Sequence, residues 1–176
     1  MMQTFIMLMA LGIVVLDIAL VVCIIALFNA KWRGIIRSFA NEYGLLAIFL
    51  LSAGSIAGTL LMQYAALLAP CVLCWWQRIF MYPIALIALI ALVKGKKISD
   101  IADYVIAFSI LGGAISLYQH LLQILPSGSL IPCDATGDCA IRLVFEFGFV
   151  TIPWMALTVF AALALIAFLA RKETTV

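Results

Sequence analysis

Cys71-Val72-Leu73-Cys74 places two thiols two residues apart, and Arg78 follows Cys74 by four. That spacing serves either disulfide exchange or metal ligation. A second pair, Cys133 and Cys139, encloses the polar run Asp134-Ala135-Thr136-Gly137-Asp138, in which Gly137 allows a turn. Either pair can close into a small disulfide and reopen. The thiolate is the attacking species in such exchange, and a nearby cation or a helix N-terminus favours it. Two dithiols on one side of a membrane, with a guanidinium beside one of them, read as a disulfide relay.

The elements that must position these thiols are membrane helices. Hydrophobic residues make up 68% of the 176 residues and charged residues only 10%. A soluble fold of this size cannot bury so much apolar surface, and runs of about 20 apolar residues mark bilayer-spanning helices. Five are expected, at about 3–28, 45–68, 73–93, 101–125 and 150–170. Little chain is left for a soluble domain. The net charge of +2 carries no nucleic-acid signal, because the basic residues cluster at helix ends.

Those clusters orient the bundle. Lys31, Arg33 and Arg37 follow the first span, Lys94, Lys96 and Lys97 the third, and Arg171 and Lys172 the fifth. With alternating helices, all eight fall on one side, which the positive-inside rule makes cytoplasmic. Arg78, Arg142 and the four paired cysteines then lie on the extracytoplasmic side, where disulfides persist. That compartment favours dithiol redox over a zinc or iron–sulfur site. Residues 1–28 lack a basic n-region and a small-residue cleavage site, so a retained helix is preferred to a signal peptide.

Pro70 precedes Cys71 and an apolar run follows, so the Cys-x-x-Cys should open the third helix at its outer end. Arg78 then lies about 6 Å inward of Cys74 on the same face. There it can stabilise the Cys74 thiolate, bond a quinone carbonyl, or simply anchor the helix at the headgroups. His120, the only histidine, lies at a similar depth on the fourth helix, with Gln119 and Gln123 nearby. It can bond a quinone carbonyl or relay protons; alone, it is equally a structural residue.

Other features read as architecture. Asp17, a carboxylate within the first span, is a functional candidate by default, but a role in helix packing is the plainer reading. Cys23 is a small buried hydrophobe. Residues 29–44 look like a connector lying at the headgroups, anchored by Trp32, Arg33, Arg37 and Tyr43. Gly54 with Gly58, and Gly112 with Gly113, should let helices approach closely. Ser99 is placed to cap the fourth helix, and Phe145, Phe147 and Phe149 to dip into the interface. Pro153 suits a first helical turn.

Taken together, Pro70 to Cys74 with Arg78, Gln119-His120-Leu121-Leu122-Gln123, Pro132-Cys133-Asp134, Gly137-Asp138-Cys139-Ala140 and Thr151-Ile152-Pro153 resemble the DsbB-type membrane disulfide oxidoreductases, including the shorter relatives called BdbC. The resemblance covers about 45–170. It implies a four-helix core at 45–176; with the additional transmembrane helix and basic connector read from hydropathy and charge at 1–44, the chain is expected to be an all-α integral membrane protein. It implies oxidation of a DsbA-like thioredoxin-fold partner, with electrons passed to a membrane quinone, ubiquinone or menaquinone. By this analogy the partner attacks a Cys133–Cys139 disulfide, and Cys139 attacks Cys71 of a Cys71–Cys74 disulfide. Cys74 then faces the quinone with Arg78 and His120. The second cysteine pair is closer together than in longer members, and the first helix lies outside the resemblance. The active site is expected within a monomer. The competing readings are a reductase of the vitamin K epoxide reductase type, static structural disulfides, or a metal site.

Overall fold

The computed structural model describes residues 2–65, 67, 70–125 and 144–171. Cys133, Cys139 and Arg142 lie outside them. The described chain is all-α, with no strand beyond an isolated Glu146–Val150 bridge. Five long helices appear: α1 (Met2–Leu27), α2 (Ala30–Ala65), α3 (Val72–Val93), α4 (Ala102–Ile124) and α5 (Ile152–Ala170). All five are long and apolar enough to cross a membrane.

Helices α2 to α5 form a closed ring, each packed on the next in sequence and α5 returning to α2. Its core includes Ile48, Ile84, Val105, Phe160 and Leu163. Gly112 makes the α4–α5 approach possible, because a Cβ there would collide with the Phe160 ring. Helix α1 stands outside the ring and packs across α2 and α5. Its Asp17 is spent on that packing: Trp154 Nε1 donates to Oδ2 at 3.0 Å and Thr158 Oγ1 donates to Oδ1 at 2.7 Å. Cys23 packs against the main core.

Three sequence expectations change. Residues 29–44 are not a separate interfacial connector, because α2 runs unbroken for 36 residues, about 54 Å against a hydrocarbon core of about 30 Å. No proline interrupts the run, and a lone glycine costs a helix only about 1 kcal/mol. Gly44 serves packing instead: a Cβ there would lie 2.8 Å from Ile98 Cδ1. A boundary at position 44 therefore falls within a helix. Second, Ser99 does not cap α4, because it sits inside a 3₁₀ turn (Ile98–Asp100) that precedes the helix. Asp103 in the first turn of α4 instead pairs with Arg171 at 2.8 Å. Third, of Gly54 and Gly58, only Gly58 closes on a neighbour, its Cβ position lying 2.7 Å from Met9 Cε; Gly54 faces open space.

The phenylalanines at 145, 147 and 149 stand around a tight turn with Phe147 at φ 53° and Gly148 at φ 79°. Phe149 meets Trp154 edge-on at 5.9 Å. The turn delivers the chain to Thr151, whose side chain caps α5. Gly112→Ala should destabilise the bundle by about 1–3 kcal/mol through overpacking. Its thermal midpoint should fall, while exposed Gly34→Ala, whose new methyl meets nothing, should not lower it.

Candidate functional site

Helix α3 begins where Pro70 and the thiol pair demand it. Cys71 is the N-cap, with extended backbone (φ −74°, ψ 171°), and its carbonyl accepts from Trp75 N–H at 3.2 Å. The pair therefore stands against the unsatisfied N–H groups of a helix start, where negative charge is favoured. The two sulfurs are 3.1 Å apart. Closing a disulfide of about 2.05 Å needs an approach of roughly 1 Å. Cys71 and Leu73 are buried against Ile115, Tyr118 and Leu122 of α4.

Helix α4 contributes a buried polar contact to the pair. Gln119, only 2% exposed, donates through Nε2 to Cys71 Sγ at 3.2 Å and to Cys74 Sγ at 3.5 Å. Its Oε1 accepts from Gln77 Nε2 at 2.7 Å. That bond leaves the amide oxygen engaged and turns the NH₂ group toward sulfur. A buried donor aimed at both thiols stabilises whichever becomes a thiolate, through a hydrogen bond to a charged group. The sequence marked Gln119 only as a polar neighbour and did not single out Gln77. Both face inward one turn or less from residues already flagged, which is the signal that was available.

Arg78 is 8% exposed. Its guanidinium donates to Gln63 Oε1 at 2.5 Å and to the Thr59 carbonyl at 3.3 Å, both on α2, and lies 5.2 Å from the Trp75 ring centre. Gln63 was not foreseen, although a glutamine near the end of an apolar span is an intramembrane polar group that needs a partner. Arg78, Gln63, Gln77 and Cys74 all border one cavity of about 360 Å³. The rest of its lining is mainly apolar, with Met62, Met81, Val159 and Phe160. Polar groups beside a thiol in an otherwise mainly apolar cavity suit a ligand with a carbonyl head and a hydrocarbon tail.

His120 takes a different direction. It lies on α4, which does neighbour α3, but its Nδ1 is 2.9 Å from Thr151 Oγ1 and its ring is 4.9 Å from that of Trp154. It does not line the cavity that Arg78 borders. Thr151 Oγ1 also accepts from Trp154 N–H at 3.3 Å, so the histidine is fastened to the start of α5. Among the described residues no three His, Cys, Asp or Glu side chains converge on a point, and Cys133 and Cys139 lie outside that set.

The family described as Disulfide bond formation protein DsbB matches residues 41–170. The chain is 37% identical over 148 residues to a "Probable disulfide formation protein C 1" of Bacillus cereus, covering 78% of this chain and 98% of that one. It is 39% identical over 105 residues to "Disulfide bond formation protein C" of Bacillus subtilis, covering 59% and 75%. A "Probable disulfide formation protein" of Chlamydia pneumoniae is 32% identical over 138 residues, covering 77% and 96%. No solved structure matches the chain.

Gln119→Leu should slow alkylation of the reduced Cys71/Cys74 pair near neutral pH by about tenfold, the loss of one charge-assisted hydrogen bond. Gln77→Leu should give a smaller effect in the same direction.

Proposed function

Because the chain belongs to the DsbB family of disulfide bond formation proteins, we propose that this multi-pass membrane protein reoxidises a DsbA-like thioredoxin-fold partner and passes the electrons to a membrane quinone. Its role in membrane disulfide bond formation follows from the family; partner and acceptor are our reading. One observation carries it: Cys74 borders both the outer start of α3 and a cavity that runs inward beside Arg78.

The basic ends of α1, α3 and α5 lie at one end of the antiparallel bundle and the thiol pair at the other. Placing the basic end in the cytoplasm puts the thiols outside, where a soluble dithiol partner can reach them. In the proposed relay, a partner thiolate attacks Cys133 of a Cys133–Cys139 disulfide. The second partner thiol resolves the mixed disulfide, so the partner leaves oxidised. Cys139, released, attacks Cys71; Cys74 is expelled as a thiolate, and Cys133 completes the return of the outer pair to its disulfide. The net result is an oxidised partner and a reduced Cys71/Cys74 pair, two electrons and two protons having moved inward.

A bound quinone would supply a two-electron, two-proton acceptor that returns Cys71 and Cys74 to the disulfide. The chain's part in that step is positional. Gln119 holds donors on both sulfurs, lowering the cost of a thiolate. Arg78, fixed by Gln63 and the Thr59 carbonyl, offers a cation at the cavity's polar end. The cavity fits a head of this type because its polar atoms gather at the thiol end. His120, bonded to Thr151, holds the start of α5 beside the site; a direct bond from His120 to a carbonyl would require it to leave that partner.

Purified protein given a reduced thioredoxin-fold dithiol protein should reduce quinone, and Cys74→Ala should bring turnover to background. Turnover unchanged in Cys74→Ala would overturn the relay. Arg78→Leu should weaken quinone affinity by about 10–100-fold, the range for losing a hydrogen bond to a charged group. Attack on the outer disulfide, followed by mixed-disulfide trapping, should continue at its ordinary rate in that variant.

A further inference from the structure

Helix α1 lies outside the matched region 41–170, yet it supplies a wall of the cavity through Met9, Gly12, Ile13 and Leu16. It packs across α2 and α5, so it covers the groove between those helices on the lipid side. Two features hold it there. Asp17 bonds to Trp154 and Thr158 of α5, and Met9 sits over Gly58 of α2, where a Cβ would lie 2.7 Å from its Cε.

The cover is incomplete at one level. Met9 and Gly58 fix the register of two antiparallel helices. Gly12 lies three residues inward of Met9 and Gly54 four residues inward of Gly58, so they fall about 4.5 and 6 Å deeper, at nearly the same height. Both glycines are exposed, both line the cavity, and a Cβ built on either meets no atom within 4 Å. That level lies about 7–8 Å inward of Thr59, whose carbonyl holds Arg78. A ligand with its head at Arg78 and Cys74 would have its tail at this height.

We propose that α1 is a cover over the α2/α5 groove that leaves a lipid-facing slot at Gly12 and Gly54, through which the hydrocarbon tail of the electron acceptor passes from cavity to bilayer. The inference rests on the quinone reading for the identity of the occupant. The absence of two side chains makes the slot, and α1, which lies outside the family-matched 41–170, frames one side of it. The tail's passage needs no opening of the ring, since both glycines already face outward.

The test compares Gly12→Leu and Gly54→Leu with Gly34→Leu, whose new side chain points away from the cavity. Leucine is a better helix former than glycine, so loss of folding is not expected. Two probes are used on the full chain: a decyl-tailed benzoquinone and its tail-less parent. Binding is read by quenching of tryptophan fluorescence and turnover by dithiol-driven reduction. Blocking the slot should raise Kd and KM for the tailed probe by at least about tenfold, the lost burial of roughly two methylenes. The tail-less probe should stay within about twofold, and Gly34→Leu should change neither. Equal shifts for both probes, or none, would overturn the slot. If the native chain turns over no quinone yet binding of the tailed probe still responds to Gly12→Leu, the quinone reading falls and the slot stands as a lipid-tail site. If the native chain binds neither probe, both fall.

Discussion

A polar side chain within a bilayer has no water to bond, so it must find its partner inside the protein. Every chemically interesting group described here is placed by that requirement. Gln119 is tied to Gln77 and the two sulfurs, Arg78 to Gln63 and a backbone carbonyl, His120 to Thr151, and Asp17 to Trp154 and Thr158. Each of these bonds crosses from one helix to another, except those to Cys71 and Thr151, which reach the N-caps of α3 and α5. The polar network therefore stitches the ring of helices together as it builds the site.

The thiol pair draws on two sources of stabilisation at once. The start of α3 brings the positive end of a helix to Cys71, and α4 brings an oriented amide donor to both sulfurs. Neither is a full charge. The guanidinium of Arg78 is held toward α2 where it borders the cavity, which in the proposed relay separates the task of making a thiolate from that of receiving an acceptor's head. A buried amide costs less to carry in an apolar setting than a second cation would.

Packing around the cavity follows from small residues as much as from large ones. Gly112 admits Phe160, Gly44 admits Ile98, and Gly58 admits Met9, whereas Gly12 and Gly54 admit nothing. The first three draw helices together. The last two leave a gap between α1 and α2 on the lipid side, so the same residue type serves contact at one level of the bundle and access at another.

Much of this was legible in the residues alone. Five spans, their alternation, the basic end and the helix-opening position of Cys71 follow from hydropathy, charge and Pro70, all local properties of the chain. The reach of α2 through 29–44 was misjudged because basic and aromatic residues signal an interface without signalling a break, and only a proline or a competing contact would have ended the helix. The partners of the polar groups were not legible. Gln119 meets Cys71 across 48 positions and Asp17 meets Thr158 across 141, and no local pattern specifies rotation of one helix against another. The sequence by itself determined which segments cross the membrane and which residues could do chemistry there. Tertiary structure alone decided that Arg78 faces α2, that His120 faces α5, and that α1 walls one side of the cavity, because side-chain direction is set by how the helices rotate to satisfy their buried polar groups.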